Sequence, residues 1–273
     1  MPLLNPRSYL FVPGNRPDRF AKACAAGADA VILDLEDSAA AADKLKARAA
    51  VAAWLTAAQP VLVRVNTSDS EWFRDDLSLG RKPGIAGVLL PKAERVEEIR
   101  LVAEHFGADV PILPQIETAQ GFRNALALAS AKQVQRLLFG SIDFQLDLGM
   151  AAEEEELLYF RSQIVLDSRL AGIQRPVDGV TTDINSMERV RADTLRARRL
   201  GFGGKMCIHP KQVPVVNEGF TPSVEEEAWA RRVVEASLES RGAATSVDGK
   251  MVDRPVLARA EVILAIVEQL RQR

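Results

Sequence analysis

Short runs of consecutive apolar residues, rich in valine, isoleucine and leucine, alternate along this chain with longer stretches whose apolar positions recur every three to four residues. The short runs fall at 8–13 (SYLFVP), 30–36 (AVILDLE), 60–66 (PVLVRVN), 86–92 (AGVLLPK), 110–117 (VPILPQIE), 134–140 (VQRLLFG), 176–180 (PVDGV) and 203–209 (GGKMCIH). Each precedes a helical stretch, among them RPDRFAKACAAG, KLKARAAVAAWLTAA, ERVEEIRLVAEHF and MERVRADTLRARRLG. Continuously apolar strands belong to a parallel sheet covered by helices on its outer side. Eight such units in a little over 200 residues predict a closed (β/α)8 TIM barrel, ahead of an open doubly wound sheet. No GxGxxG follows the first strand, and FVPGNRP is not a phosphate loop, so a dinucleotide fold gains no support.

The barrel is expected over 1–222, with a C-terminal helical arm extension over 223–273. TPSVEEEAWARRVVEASLES reads as a ninth helix and RGAATSVDGKMVDRP as a loop or arm. VLARAEVILAIVEQL is a final helix with one strongly apolar face. That face cannot enter the barrel interior, so it packs outside its own barrel or on a neighbouring subunit.

Composition narrows the class of function. With 47% hydrophobic and 26% charged residues the chain reads as an ordinary soluble globular protein. A net charge of −2 gives no general attraction to nucleic acid or to an anionic membrane. Cys24 and Cys207 lie far apart, and His105 and His209 are the only histidines, which argues against a zinc site and against a disulfide framework. The N-terminal stretch does not read as a signal peptide and no apolar run reaches spanning length, so a cytoplasmic location is expected. The acidic run at 153–156 reads as a solvated helix start, His105 as a surface residue and Cys207 as an inert buried thiol.

Polar residues at the C-terminal ends of barrel strands carry more information than other charges, because that end is the active face. Asp34, Glu36 and Asp37 end the second run, Arg64 and Asn66 the third, Lys92 the fourth and Glu117 the fifth, and Asp143 follows the sixth. Each acid alone could be a helix cap or half of an ion pair. Arg64 lies inside an apolar strand, where a guanidinium has to meet a carboxylate. It could form a buried pair with Glu36 or Glu117, or grip a substrate carboxylate with its planar fork. Glu117 and Asp143 come from successive strands. As hard oxygen donors they suit Mg2+ with water and substrate completing the shell, or they could form an acid/base pair.

Taken with FVPGNRP, DLEDS, VRVN, LLPK, QIETAQG, FGSIDFQLDLG, GIQRPVDGV, GFGGKMCIHPKQV and MVDRP, in order from Arg7 to about Leu270, the sequence resembles the citrate lyase β-subunit-like family of the HpcH/HpaI aldolase superfamily. The resemblance implies a barrel, usually trimeric, that uses Mg2+ to cleave or form the carbon–carbon bond of a 3-hydroxyacyl thioester of coenzyme A. By that likeness Glu117 and Asp143 are metal ligands, Arg64 holds the oxo-acid carboxylate, and Glu36 and Asp37 hold metal-bound water. Arg16, Lys22 and the loop Ile208, His209 and Pro210 match coenzyme A contacts. Asp253 matches an aspartate supplied from an adjacent subunit to exchange the α-carbon proton; read from sequence alone it is equally the N-cap of the last helix.

Three other outcomes stay open at this level. Some members of the family hydrolyse the product thioester, and others act on an acyl carrier protein within a complex. A Schiff-base aldolase would need Lys92 or Lys205 as a free amine, although Lys92 could equally pair with an acid.

Overall fold

The structure is a computed structural model that describes residues 5–151, 155–240 and 243–272. Glu153 and Glu154 of the acidic run, and the first two residues of the arm, lie outside the described residues. The chain divides into two compact units, Met1–Asn217 and Glu218–Arg273.

Eight parallel strands make the first unit: β1 (Ser8–Pro13), β2 (Ala30–Asp34), β3 (Val61–Arg64), β4 (Ile85–Leu90), β5 (Ile112–Ile116), β6 (Leu138–Phe139), β7 (Val177–Asp178) and β8 (Gly204–Cys207). They pair in chain order and β8 closes on β1, so the sheet is the expected closed barrel. Around it run α1 (Phe20–Cys24), α2 (Lys44–Trp54), α3 (Phe73–Asp76), α4 (Val96–Phe106), α5 (Ala119–Arg123), α6 (Ala125–Ala129), α7 (Ser141–Leu148), α8 (Leu158–Leu170) and α9 (Met187–Leu200). Then α10 (Gln212–Phe220) follows β8. Three of these helical segments are short: RPDRFAKACAAG yields only the five-residue α1, and the segments after β3 and β5 are interrupted. Asn124 leaves helical geometry and divides the segment after β5 into two five-residue helices, while Gly80, Pro83 and Gly84 close the segment after β3 early.

One residue from every strand fills the barrel. Tyr9, Ile32, Leu62, Leu89, Leu113, Leu138, Val177 and Met206 form a single buried apolar cluster, each contributing roughly 1.5–3 kcal/mol by leaving water. Because side chains alternate along a strand, the residue two positions further on points into the same interior. Those residues include Phe11, Asp34, Arg64, Gln115, Gly140 and Ile208, and all six line one cavity above the apolar layer. Below it, buried Arg136 donates from Nη1 to Pro6 O (2.8 Å) and Tyr9 Oη (2.9 Å), and from Nε to Arg175 O (2.7 Å).

Strand pairing ends earlier than the apolar runs predict. The Asp34 carboxylate accepts from the backbone N–H of Glu36 (2.9 Å) and of Ser38 (3.2 Å), which turns the chain out of β2. Glu36, Asn66 and Glu117 therefore stand on loops just past their strands. Those loops are tied from beneath. Buried Asp76 accepts from Asn66 N (2.9 Å), Asn66 Nδ2 (2.6 Å) and Arg48 Nε (2.7 Å). Lys44 Nζ donates to Leu35 O and Glu36 O (both 2.8 Å) and to Asn66 Oδ1 (2.6 Å).

In the second unit, α11 (Val224–Glu239) begins with a capping box in which Ser223 Oγ accepts from Glu226 N (3.1 Å) and Glu226 Oε2 from Ser223 N (2.9 Å). The described part of the arm is a β-hairpin rather than a loop: β9 (Thr245–Val247) pairs antiparallel with β10 (Lys250–Val252). Asp248 and Gly249 make the two-residue turn, both with positive φ (52° and 74°). The Asp-Gly pair between valine-containing segments is the sequence sign of such a turn. After it, α12 (Arg254–Arg271) is capped by Asp253, whose Oδ1 accepts from Val256 N at 3.2 Å. Ala230, Val233, Val247, Val252, Ala260 and Ile263 form the core of this unit.

Removal of the Asp76 carboxylate would leave an amide N–H and a guanidinium without their buried acceptor. Asp76→Ala should lower unfolding stability by about 3 kcal/mol in urea melts, while the exposed Asp75→Ala should cost no more than about 0.5 kcal/mol.

Candidate active site

Six of the eleven residues given a role from the sequence come together at the barrel mouth. The cavity there, about 420 Å3, is lined by five of them, Asp37, Arg64, Glu117, Asp143 and Ile208, with Asp34, Phe11, Gln115, Ser141 and Thr182 among the others. Glu36 joins this group through Arg64. Glu117 follows β5 directly, whereas Asp143 sits in the first turn of α7 rather than at a strand end. Between them Gly140 is required by closeness: a Cβ there would lie 2.3 Å from Glu117 Oε1.

Arg64 differs from both sequence readings in its main partner. Adjacent strands place Asp34 opposite Arg64, and the carboxylate takes the Nε and Nη2 hydrogens at 2.6 and 2.8 Å. Nη1 stands 2.9 Å from Glu36 Oε2 and 3.8 Å from Asp37 Oδ2. The guanidinium also lies over the Phe11 ring, 4.7 Å from its centroid. Asp34 thus occupies one edge of the fork, while Glu36 and Asp37 stand beside Nη1. Burial opposes the charge on Arg64, but Asp34, Glu36 and Glu117 outweigh it and hold its pKa above the ordinary value.

Lys92 crosses the mouth. Its Nζ reaches Glu36 Oε1 at 2.8 Å and Asp143 Oδ1 at 3.3 Å, and its backbone N–H donates to Glu117 Oε2 at 2.9 Å. It adopts a left-handed backbone (φ 45°), which costs a non-glycine residue about 1–2 kcal/mol. Burial works against its charge, yet the bond to Glu36 and the charge of Glu117 leave its pKa raised. A firmly protonated amine held by two carboxylates is a poor Schiff-base nucleophile. Lys205 is no better placed, because it alternates with the interior Met206 along β8 and donates to Gly179 O.

Burial pushes the Glu117 carboxyl up to about 8; Glu36 and Asp143 add to the rise, against Arg64 and Lys92. Burial likewise raises Glu36. Asp34, by contrast, is held below the carboxylate range, because Arg64 overcomes the cost of burying it. Five carboxylates at the mouth thus face two cations. Buried Gln115 donates to Glu117 Oε1 (2.8 Å), and its own Oε1 has no hydrogen-bond partner, nor does Glu36 Oε2 despite the nearby guanidinium. Surplus negative charge and unsatisfied oxygens fit a hard divalent cation. Among the described residues no cluster of three or more His, Cys, Asp or Glu side chains forms a metal cage, so Glu117 and Asp143 would bind such an ion with water and ligand oxygens completing its shell.

The remaining sequence-derived residues are not among those lining the cavity. Arg16 forms a bidentate pair with Asp18 on an exposed turn (2.9 and 2.8 Å), and Lys22 is exposed on α1. In the loop after β8, Gln212 Oε1 accepts from the backbone N–H of Ile208 (2.9 Å) and of His209 (3.3 Å), and Pro210 is exposed. Asp253 belongs to the second unit. Gln115 was missed, and Asp34 was placed at the mouth without a role, although the period-two pattern of β2 and β5 turns both toward the interior. His105 is exposed, and burial raises the Cys207 thiol to about 12. No helix among the described residues is long and apolar enough to cross a membrane.

Residues 7–210 match the family model described as HpcH/HpaI aldolase/citrate lyase. The chain is 40% identical over 275 residues to a citrate lyase subunit beta-like protein of Deinococcus radiodurans, across 95% of this chain and 96% of that one. It is 34% identical over 276 residues to a (3S)-malyl-CoA thioesterase of Cereibacter sphaeroides, with the same coverage. CitE of Mycobacterium tuberculosis, solved in complex with magnesium, acetoacetate and coenzyme A, superposes with a TM-score of 0.86 at 35% identity over 97% of this chain and 98% of that one. The chain therefore belongs to the HpcH/HpaI aldolase/citrate lyase family, a family of carbon–carbon lyases.

Proposed function

We propose that this protein is a Mg2+-dependent lyase that cleaves, or in reverse forms, a 3-hydroxyacyl-CoA thioester of the malyl, citramalyl or citryl type, giving an acyl-CoA and a 2-oxo acid. The observation that carries this reading is the convergence of Glu117, Asp143 and Arg64 on one cavity with an excess of negative charge. The magnesium, acetoacetate and coenzyme A bound by the M. tuberculosis CitE support it.

A magnesium ion held by Glu117 and Asp143 would supply Lewis acidity toward the hydroxyl and carboxylate oxygens of the ligand. Arg64 meets the ligand carboxylate through Nη1, which Asp34 leaves to it and which shares its charge between the ligand and Glu36. In cleavage the hydroxyl proton leaves to water or to Asp37 at the open rim, and the electrons of its O–H bond form the new carbonyl. The carbon–carbon bond breaks and its electron pair becomes a thioester enolate, whose α-carbon then takes a proton. Asp253 of a neighbouring copy in a trimer is the donor in this scheme. Its Oδ1 caps α12, and Oδ2 is left for proton exchange. Arg16, Lys22 and the Ile208–Pro210 loop are the proposed coenzyme A contacts. The relative named (3S)-malyl-CoA thioesterase favours a second outcome, hydrolysis of the thioester in the same site.

A panel of hydroxyacyl-CoA esters tests the function: 2-oxo acid should appear with Mg2+ and be abolished by EDTA. Release of free thiol without oxo acid would assign hydrolysis instead, and unimpaired turnover in EDTA would overturn the metal role. Asp253→Asn and Glu117→Gln should each reduce kcat at least about a hundredfold. Mixed trimers of the two variants should recover about a quarter of wild-type activity if neighbouring copies share the site; no recovery would refute the shared arm.

Glu117 also predicts a pH dependence. Its folded pKa of about 8 lies above the ordinary 4.5, so between these values the folded metal-free protein retains a proton that the unfolded chain has lost. Its favourable contribution is present below about pH 4.5 and is lost as pH rises through about 8. Melting temperatures in EDTA should accordingly fall from about pH 5 to about pH 8.5, with a flatter profile in Glu117→Gln and a restoring effect of Mg2+ at the alkaline end.

A further inference from the structure

Lys92 touches three of the acids that frame the proposed metal position. Its ammonium is bonded to Glu36 (2.8 Å) and lies 3.3 Å from Asp143, and its amide is bonded to Glu117 (2.9 Å). These contacts come from a residue in the left-handed region, with Pro91 before it. Strained backbone at a non-glycine residue persists where the surroundings over-determine it. Here the conformation sends the N–H toward Glu117 and the side chain across the mouth at once. The side chain retains about a third of its exposure, so it has room to swing away from Asp143 while its bond to Glu36 holds.

We propose that Lys92 is a built-in counter-cation of the site: its ammonium neutralises Asp143 in the metal-free protein and yields that carboxylate to an incoming divalent ion, while its amide keeps Glu117 aimed at the same position. Lys92 is thus a positioning residue with two separable parts, one fixed in the backbone and one exchanged for the metal. The arrangement gives Asp143 a counter-charge when no ion is bound, and it sets metal affinity below what the bare carboxylates would give. This inference rests on the reading that Glu117 and Asp143 hold the metal.

Calorimetric Mg2+ titration of the full-length protein tests it without any substrate. Lys92→Met removes the ammonium and keeps the amide, so Mg2+ should bind about tenfold more tightly than in wild type. Mg2+ should also raise its melting temperature by more than it raises that of wild type. Lys92→Arg keeps the charge and should stay within about twofold of wild type. Lys92→Gly, which suits the left-handed backbone and also keeps the amide, should tighten binding like the methionine variant and gives the answer if that one does not fold. Unchanged or weaker Mg2+ binding in Lys92→Met or Lys92→Gly, with wild type binding normally, would overturn the exchange role alone. Absence of Mg2+ binding in wild type would overturn the metal pair and this inference together.

Discussion

A surplus of negative charge in a half-enclosed cavity is the constraint around which the mouth of this barrel is built. Five carboxylates cannot share so small a space without counter-charge, and the protein supplies two cations of different kinds. Arg64 is held firmly: Asp34 takes one edge of its fork, its plane lies on Phe11, and the surrounding carboxylates hold its pKa above the ordinary value. Lys92 is a point charge on a flexible stem, shared between Glu36 and Asp143. What these two leave uncompensated falls mainly on Glu117, whose burial in that field makes its ionised form unfavourable until another cation joins it.

The rest of the first unit serves to make that unfavourable arrangement stable. The apolar ring contributed by all eight strands closes the barrel below the cavity, so the next residue on the same face of each strand has nowhere to point but into the mouth. The Asp76 and Lys44 network fixes the loops after β2 and β3 through backbone groups, leaving the Glu36 side chain to the site. Gly140 lets α7 start against the Glu117 side chain, which brings Asp143 to the same space. Strain at Lys92 is a small cost set against the many apolar contacts beneath it.

The fold was legible because its cause is local and repeated. Eight apolar runs, each followed by helical periodicity, permit few architectures, and the closed barrel follows from their number and order. Glu117 and Arg64 were legible because a charge at the end of an apolar strand stands out from its neighbours, and Asp143 because it closely follows such a run, though the structure puts it on α7. The hairpin of the arm was missed although Val-Asp-Gly-Lys carries the turn signal, since three-residue strands lie below the length at which alternation can be read.

By itself the sequence determined which residues could reach the mouth, for the two-residue repeat of a strand fixes the face each side chain takes. Only the tertiary structure decided how those residues pair. Whether Arg64 meets Asp34, Glu36 or Glu117 depends on the stagger between β2 and β3, which backbone hydrogen bonding sets and no single strand encodes. The same holds for Lys92: the sequence places it at the rim with an acid as a possible partner, and the left-handed turn makes it the bridge among three acids.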